Sequence, residues 1–89
     1  MPKIKLHHPT GDVLAETIRR QLVPRPGDIV VVFDPASIFV SNITILSQID
    51  NSNPAMPFMA PIDEDGDIFR WTYAYKVPEG YASVEASND

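Results

Sequence analysis

The chain contains no cysteine among its 89 residues. This absence excludes disulfides, thiolate zinc sites and catalysis by a thiol. It is typical of proteins in a reducing compartment, so we expect a cytoplasmic protein. No apolar run approaches the ~18 residues that a membrane helix needs, and the amino-terminal segment lacks the apolar stretch of a secretory signal. We therefore expect no membrane partner.

The sequence also lacks the spacing motifs of common enzymes. No HExxH, GxSxG, Walker A or GxGxxG pattern occurs. The two histidines, His7 and His8, are adjacent on a predicted strand, so their side chains point to opposite faces and cannot easily share one metal ion. We predict that the protein is not an enzyme and that it binds no metal ion or other cofactor.

Basic residues are few. Seven Lys and Arg against 12 Asp and Glu give a formal net charge of −5. A phosphate backbone is bound by clustered Lys and Arg, so we do not expect nucleic acid as a partner. The acidic balance instead favours a partner protein with a basic surface.

The length and composition predict one small folded domain. Hydrophobic residues make up 44% of the chain, which is an ordinary value for a globular protein. A chain of 89 residues is long enough for one domain only. We place this domain at residues 1–84 and predict that residues 85–89 form an acidic, flexible tail.

One segment has the apolar spacing of a helix. Apolar residues recur every four positions at Leu14, Ile18 and Leu22. We predict a helix over residues 12–23, with Asp12 as its N-cap and Pro24 ending it. Glu16 can pair with Arg20 one turn further on.

The remaining pattern predicts strands. They lie at residues 3–7, 29–33, 38–49 and 68–77, although residues 38–49 also fit a helical face. The run 29–33 follows a predicted type II turn with Gly27 at its third position, and residues 50–67 read as an irregular loop. We predict an α+β fold, with one N-terminal helix packed on a small, mostly antiparallel sheet of about 3–4 strands.

The run Pro26-Gly27-Asp28-Ile29-Val30-Val31-Val32 resembles the beginning of the first strand in small SH3-like barrels. This resemblance covers less than a tenth of the chain. No function is inferred from it.

Three features could form a binding surface. Met56–Ile62 is an apolar segment inside the predicted loop, Asp63–Asp67 is an acidic turn, and the predicted strand 68–77 places Phe69, Trp71, Tyr73 and Tyr75 on one face. Alternatively the loop caps the sheet, the acidic residues form a solvated turn, and the aromatic face is core. The predicted partner-binding residues are Met56, Phe58, Met59, Ile62, Asp63, Glu64, Asp65, Asp67, Tyr73 and Tyr75.

These features favour a non-enzymatic binding protein that acts by protein–protein contact. By analogy of size and charge, it could be an inhibitor of the kind that phages use against host defence. In that case Phe58→Asp abolishes partner capture and leaves the fold intact. One alternative is an assembly subunit that forms homo-oligomers. The other is a binder of small, nucleotide-like anions through Arg19, Arg20, Arg70 and Trp71.

Overall fold

The computed structural model describes residues 3–33, 41–61 and 67–85. Within these residues the chain forms one helix and eight strands. In chain order they are β1 (Lys3–Leu6), α1 (Thr10–Arg20), β2 (Ile29–Phe33), β3 (Ser41–Ile45), β4 (Gln48–Ile49), β5 (Phe58–Pro61), β6 (Ile68–Trp71), β7 (Tyr73–Lys76) and β8 (Ala82–Glu85).

The strands form three antiparallel sheets. Their orders are β1-β8, β3-β2-β7 and β4-β5-β6. The predicted α+β class and the antiparallel pairing are confirmed, but the described residues form eight strands in three sheets where we predicted one sheet of about 3–4 strands. Two predicted strands each bend and divide between two sheets, and β5 and β8 were not predicted.

The bends join the two three-stranded sheets. Leu46 continues the pairing of β3 with β2 by one residue, because its backbone N–H donates at 3.0 Å to the carbonyl of Asp28, just before β2 begins. The next residue, Ser47, donates instead to the carbonyl of Met59 in β5 at 2.8 Å. Thr72 interrupts the other long strand and separates β6 from β7. The pairings therefore close a ring that runs from β2 through β3/β4, β5 and β6/β7 back to β2.

The inside of this ring holds the first core cluster. Its buried members are Val30, Val32, Leu46, Ala60, Trp71 and Ala74, and Ile49 and Phe58 pack against them. Trp71 is 5% exposed, and its indole N–H donates to the carbonyl of Ala60 at 3.1 Å. The single tryptophan is thus a structural residue of the ring.

The opposite face of β2 carries the second core cluster. Val31 packs there with Val13 of α1 and with Val77, and partly buried apolar residues of β1, β3 and β8 surround them. Val30, Val31 and Val32 are all fully buried. The prediction that 29–33 is a strand buried on both faces is confirmed.

The helix is confirmed, but its bounds and its buried face differ from the prediction. It spans Thr10–Arg20 with Pro9 at the N-cap, and no side chain caps it, so Asp12 is not the cap. It ends before Pro24 because Gln21 adopts a left-handed conformation with φ 49° and ψ 48°.

The face that α1 buries is turned by one residue from the predicted stripe. Val13 and Thr17 are fully buried, whereas Ile18 is 41% exposed and Leu22 is 38% exposed. Neighbouring helical positions differ by about 100° around the axis, because the helix has 3.6 residues per turn. The helix lies against β2 and β7 through Val13 and Thr17, and Leu14, the first residue of the predicted stripe, is half-buried and packs against the second core cluster.

The predicted turn before β2 is confirmed. Gly27 has φ 95°, and the N–H of Asp28 donates to the carbonyl of Arg25 at 3.0 Å. A positive φ at the third position is what a type II turn requires, and only glycine adopts it at no steric cost.

The strand prediction for 38–49 is confirmed for 41–45 and 48–49, while residues 38–40 lie outside the described residues. The prediction of an irregular loop over 50–67 is wrong for Phe58–Pro61, which form the central strand β5 of their sheet. The prolines at 57 and 61 obscured this strand in the sequence, and both stand at its limits, where a missing N–H is tolerated.

The predicted boundary between the domain and its carboxyl-terminal tail also shifts, by one residue. Glu85, which we placed in the tail, is the last residue of β8 and pairs with Lys3. Residues 86–89 lie outside the described residues.

Candidate functional site

Three aromatic rings meet on one face of the β3-β2-β7 sheet, and we call Phe33, Tyr73 and Tyr75 the aromatic cluster. The register pairs Phe33 with Tyr73. The ring centroids of Phe33 lie 5.1 Å from Tyr73 and 5.8 Å from Tyr75, and the two tyrosines are 6.4 Å apart. These separations lie in the favourable range for aromatic pairs, each worth about 0.5–1.5 kcal/mol beyond area burial.

The aromatic cluster continues the second core cluster toward solvent. Phe33 packs against that cluster and is half-buried. Tyr73 is the outermost ring, at 41% exposed, and Tyr75 is half-buried. A ring that is held by its neighbours and still exposed presents a rigid apolar surface with a polar hydroxyl.

The predicted aromatic face of residues 68–77 does not exist as one surface. The bend at Thr72 sends Trp71 into the first core cluster, whereas Tyr73 and Tyr75 lie on the other side of β2 with Val31. Phe69 pairs with Ala60 in the β4-β5-β6 sheet and is 48% exposed. The predicted alternation of side chains between two faces therefore fails across Thr72, although it holds within β6 and within β7.

The predicted apolar segment is also divided between two faces. Phe58 packs against the first core cluster, and Met59, the next residue of β5, points to the opposite face. Both are half-buried, as is Met56 in the turn before the strand. The predicted site residues Ile62, Asp63, Glu64 and Asp65 lie outside the described residues, whereas Asp67 is described and exposed.

Arg70 forms an ion pair with Asp50 on the face of β6 opposite Trp71. Its Nη2 lies 2.9 Å from Oδ2 of Asp50, and Oδ1 of Asp50 accepts from the backbone N–H and the hydroxyl of Ser52 at 3.0 and 2.6 Å. Hydrogen bonds from Ser52 and then Arg70 lower the pKa of Asp50 from 3.8 to about 2. Nη1 of Arg70 is buried without an acceptor among the described residues.

Arg19 and Arg20 are likewise engaged, on the exposed side of α1. Both bind the carboxylate of Glu16 at 2.7 Å, and the Arg20 guanidinium lies 5.8 Å from the ring centroid of Tyr81. Hydrogen bonds from the two arginines lower the pKa of Glu16 from 4.5 to about 2. The predicted Glu16–Arg20 pair is confirmed.

The residues proposed for a small anion are not brought together. Arg19 and Arg20 lie on the helix, Arg70 binds Asp50, and Trp71 is buried inside the ring. The two histidines also have separate partners. His7 Nε2 lies 2.9 Å from the hydroxyl of Ser83, and the His8 ring lies 4.5 Å from that of Tyr81.

The comparisons with known proteins add no relative. No protein-family model, no curated protein and no solved structure matches this chain. In the described part of the chain, no helix is long and apolar enough to cross a membrane. The same residues contain no group of three or more His, Cys, Asp or Glu side chains that could hold a metal ion.

One member of the aromatic cluster was missing from the predicted site. Phe33 belongs to a strand that the sequence predicts to be buried on both faces, and the register of β2 with β7 places it beside Tyr73. Its position at the end of β2 is the one available signal, because strand ends are where a buried run reaches solvent.

Proposed function

We propose that this protein is a non-enzymatic binding protein that acts by protein–protein contact, and that the aromatic cluster is part of its binding surface. The observation that carries the proposal is the exposure of Tyr73, 41%, on a ring stacked against Phe33 and Tyr75. Tyrosine is enriched at the energetic centres of protein interfaces. A ring already held in place loses little conformational entropy when a partner covers it.

The charge of the chain supports a partner with a basic surface. The net charge is −5, and three of the basic side chains, Arg19, Arg20 and Arg70, are paired with carboxylates within this chain. An acidic protein attracts a basic partner over about a Debye length, ~8 Å at physiological salt. Inhibition of a larger target, by covering part of its surface, is the form of binding that this size and charge favour.

Tyr73→Ser tests the proposal more cleanly than Phe58→Asp. Phe58 packs against the first core cluster, so a charge there would disturb the ring rather than a binding surface alone. Tyr73 is exposed, and serine keeps a hydroxyl while it removes the ring. The matched control is Val23→Ser, which removes an apolar side chain that is 86% exposed and lies outside the aromatic cluster.

The measurement is quantitative capture of partner proteins from a cell lysate by each variant, with circular dichroism to verify the fold. We expect Tyr73→Ser to weaken capture at least about tenfold, equivalent to ~1.4 kcal/mol, and Val23→Ser to leave it unchanged. Equal capture by wild type and Tyr73→Ser would remove the aromatic cluster from the binding surface.

A further inference from the structure

The β1-β8 ribbon has two outer edges whose backbone groups follow from its register. Lys3 pairs with Glu85 and Lys5 with Ser83, and the N–H of His7 donates to the carbonyl of Tyr81 at 2.9 Å. In an antiparallel ladder, hydrogen-bonded pairs alternate with pairs whose N–H and C=O groups point outward. The outward-pointing residues are Ile4 and Leu6 on β1, and Ala82 and Val84 on β8.

The two edges differ in how well they resist the addition of another strand. The β1 edge is flanked by the exposed charges of Lys3 and Lys5, and lysine on an edge strand discourages pairing with another chain. The β8 edge presents Ser83, Val84 and Glu85, all exposed, with Val84 at 46%. Within the described residues, β8 pairs only with β1.

Val84 also lies beyond the core that supports the rest of the ribbon. Leu6 and Ala82 form one pair of the ribbon and pack on the second core cluster. Ile4 and Val84 form the next pair on the same face, and neither belongs to that cluster. A ribbon of two four-residue strands is marginal alone, and a third or fourth strand stabilises it.

We propose that β8 pairs antiparallel with β8 of a second copy of this chain, about a twofold axis at Val84. The Val84 N–H of each copy donates to the Val84 carbonyl of the other, which makes a four-stranded sheet of order β1-β8-β8-β1. The two valine side chains lie directly opposite each other and cover the surface that each leaves exposed.

The charges along β8 fit this self-pairing. In this register Ser83 of each copy lies opposite Glu85 of the other, so no two like charges face each other across the new ladder. Glu85 is already opposite Lys3 in its own ribbon. Each copy carries a net charge of −5, so added salt screens the repulsion between copies and strengthens the pairing. This inference is independent of the aromatic cluster.

Val84→Pro tests the pairing with little cost to the fold. Proline removes the N–H of residue 84, which points away from β1 and which the ribbon does not use, and an outward-facing edge position tolerates proline. Ile4→Pro is the matched control, because it removes the equivalent outward N–H from the other edge. Val84→Lys is a second variant that keeps the N–H and places two like charges face to face.

Sedimentation velocity at concentrations up to about 1 mM measures the outcome. We expect the wild type and Ile4→Pro to approach twice the 9.9 kDa mass of the chain, more completely at higher salt. Val84→Pro and Val84→Lys should each raise the dissociation constant at least about tenfold. The proposal is overturned if the wild type stays monomeric at about 1 mM, if both Val84 variants dimerise like the wild type, or if only Ile4→Pro loses the dimer.

Discussion

Replacing Thr17 with valine is expected to stabilise the protein. Thr17 is fully buried on the face of α1 that lies against the sheet, and its hydroxyl has no hydrogen-bond partner among the described residues. A buried hydroxyl without a partner has lost its bonds to water and gained nothing in return. Valine has almost the same shape and replaces that hydroxyl with a methyl group.

The expected gain follows from the cost of the unpaired group. An unsatisfied buried polar group costs about 1–3 kcal/mol, and the helix propensities of threonine and valine are nearly equal. The free energy of unfolding should therefore rise by about 1–3 kcal/mol. For a domain of this size, each kcal/mol raises the melting temperature by roughly 4–8 °C.

Urea denaturation and calorimetry of three variants separate the hydroxyl from the methyl group. Thr17→Val should gain stability, whereas Thr17→Ser, which keeps the hydroxyl and loses the methyl, should lose it. Thr17→Ala should fall below Thr17→Val by the packing of the missing atoms, on the order of 1 kcal/mol or more. A Thr17→Val protein less stable than the wild type would show that the hydroxyl is hydrogen-bonded in solution, and would refute the reasoning.

Two further expectations concern acid stability and backbone strain. The pKa values of Glu16 and Asp50 are lowered in the folded state to about 2, so both pairs stabilise the fold above their ordinary pKa values of 4.5 and 3.8 and lose this effect as the pH falls toward 2. Glu16→Gln and Asp50→Asn should each flatten the fall in urea midpoint over this acidic range, and a slope identical to the wild type would contradict the assignment. Gly27→Ala should destabilise by about 1–2 kcal/mol, because φ is 95° there although the added Cβ meets no atom within 4 Å. The control Gly11→Ala, in the first turn of the helix and equally free of contacts, should be neutral or stabilising by up to about 1 kcal/mol in the same denaturation assay, and an equal loss in both variants would contradict the role of φ.

The sequence predicted those elements whose signals are local. The type II turn is specified by Gly27, and β2 by an uninterrupted β-branched run between turn residues. The helix was found from its apolar spacing, but of its predicted stripe only Leu14 packs against the core. Val13–Thr17 and Leu14–Ile18 differ by one position, and the contact with β2 and β7 decides between them.

The missed features depend on contacts between distant parts of the chain. The bend at Thr72 is invisible in a ten-residue alternation, because each half keeps the same period on its own sheet. β5 was hidden by Pro57 before it and Pro61 at its end, and β8 alternates apolar and polar side chains over only four residues, too few to separate it from the predicted tail.

The predicted site residues lie in different parts of the fold for the same reason. Tyr73 and Asp67 are exposed where the sequence placed them in a binding surface. Phe58 and Trp71 instead pack inside the ring, because Phe58 belongs to the unpredicted strand β5 and Trp71 stands just before the bend at Thr72. Phe33 joins the tyrosines only through the register of β2 with β7, which no local pattern encodes.

The β1-β8 ribbon affects the order in which this protein can assemble on the ribosome. His7 and Ser83, which bond across it, are 76 positions apart. At a synthesis rate of ~5–20 residues per second, roughly 4–15 s pass between the synthesis of β1 and that of its partner strand β8. During that interval Leu6 and the apolar side of α1 have no β8 to cover them, so the nascent chain carries an open apolar surface until its last described strand is made. Loop closure over this distance also makes the ribbon a late event in refolding of the free chain.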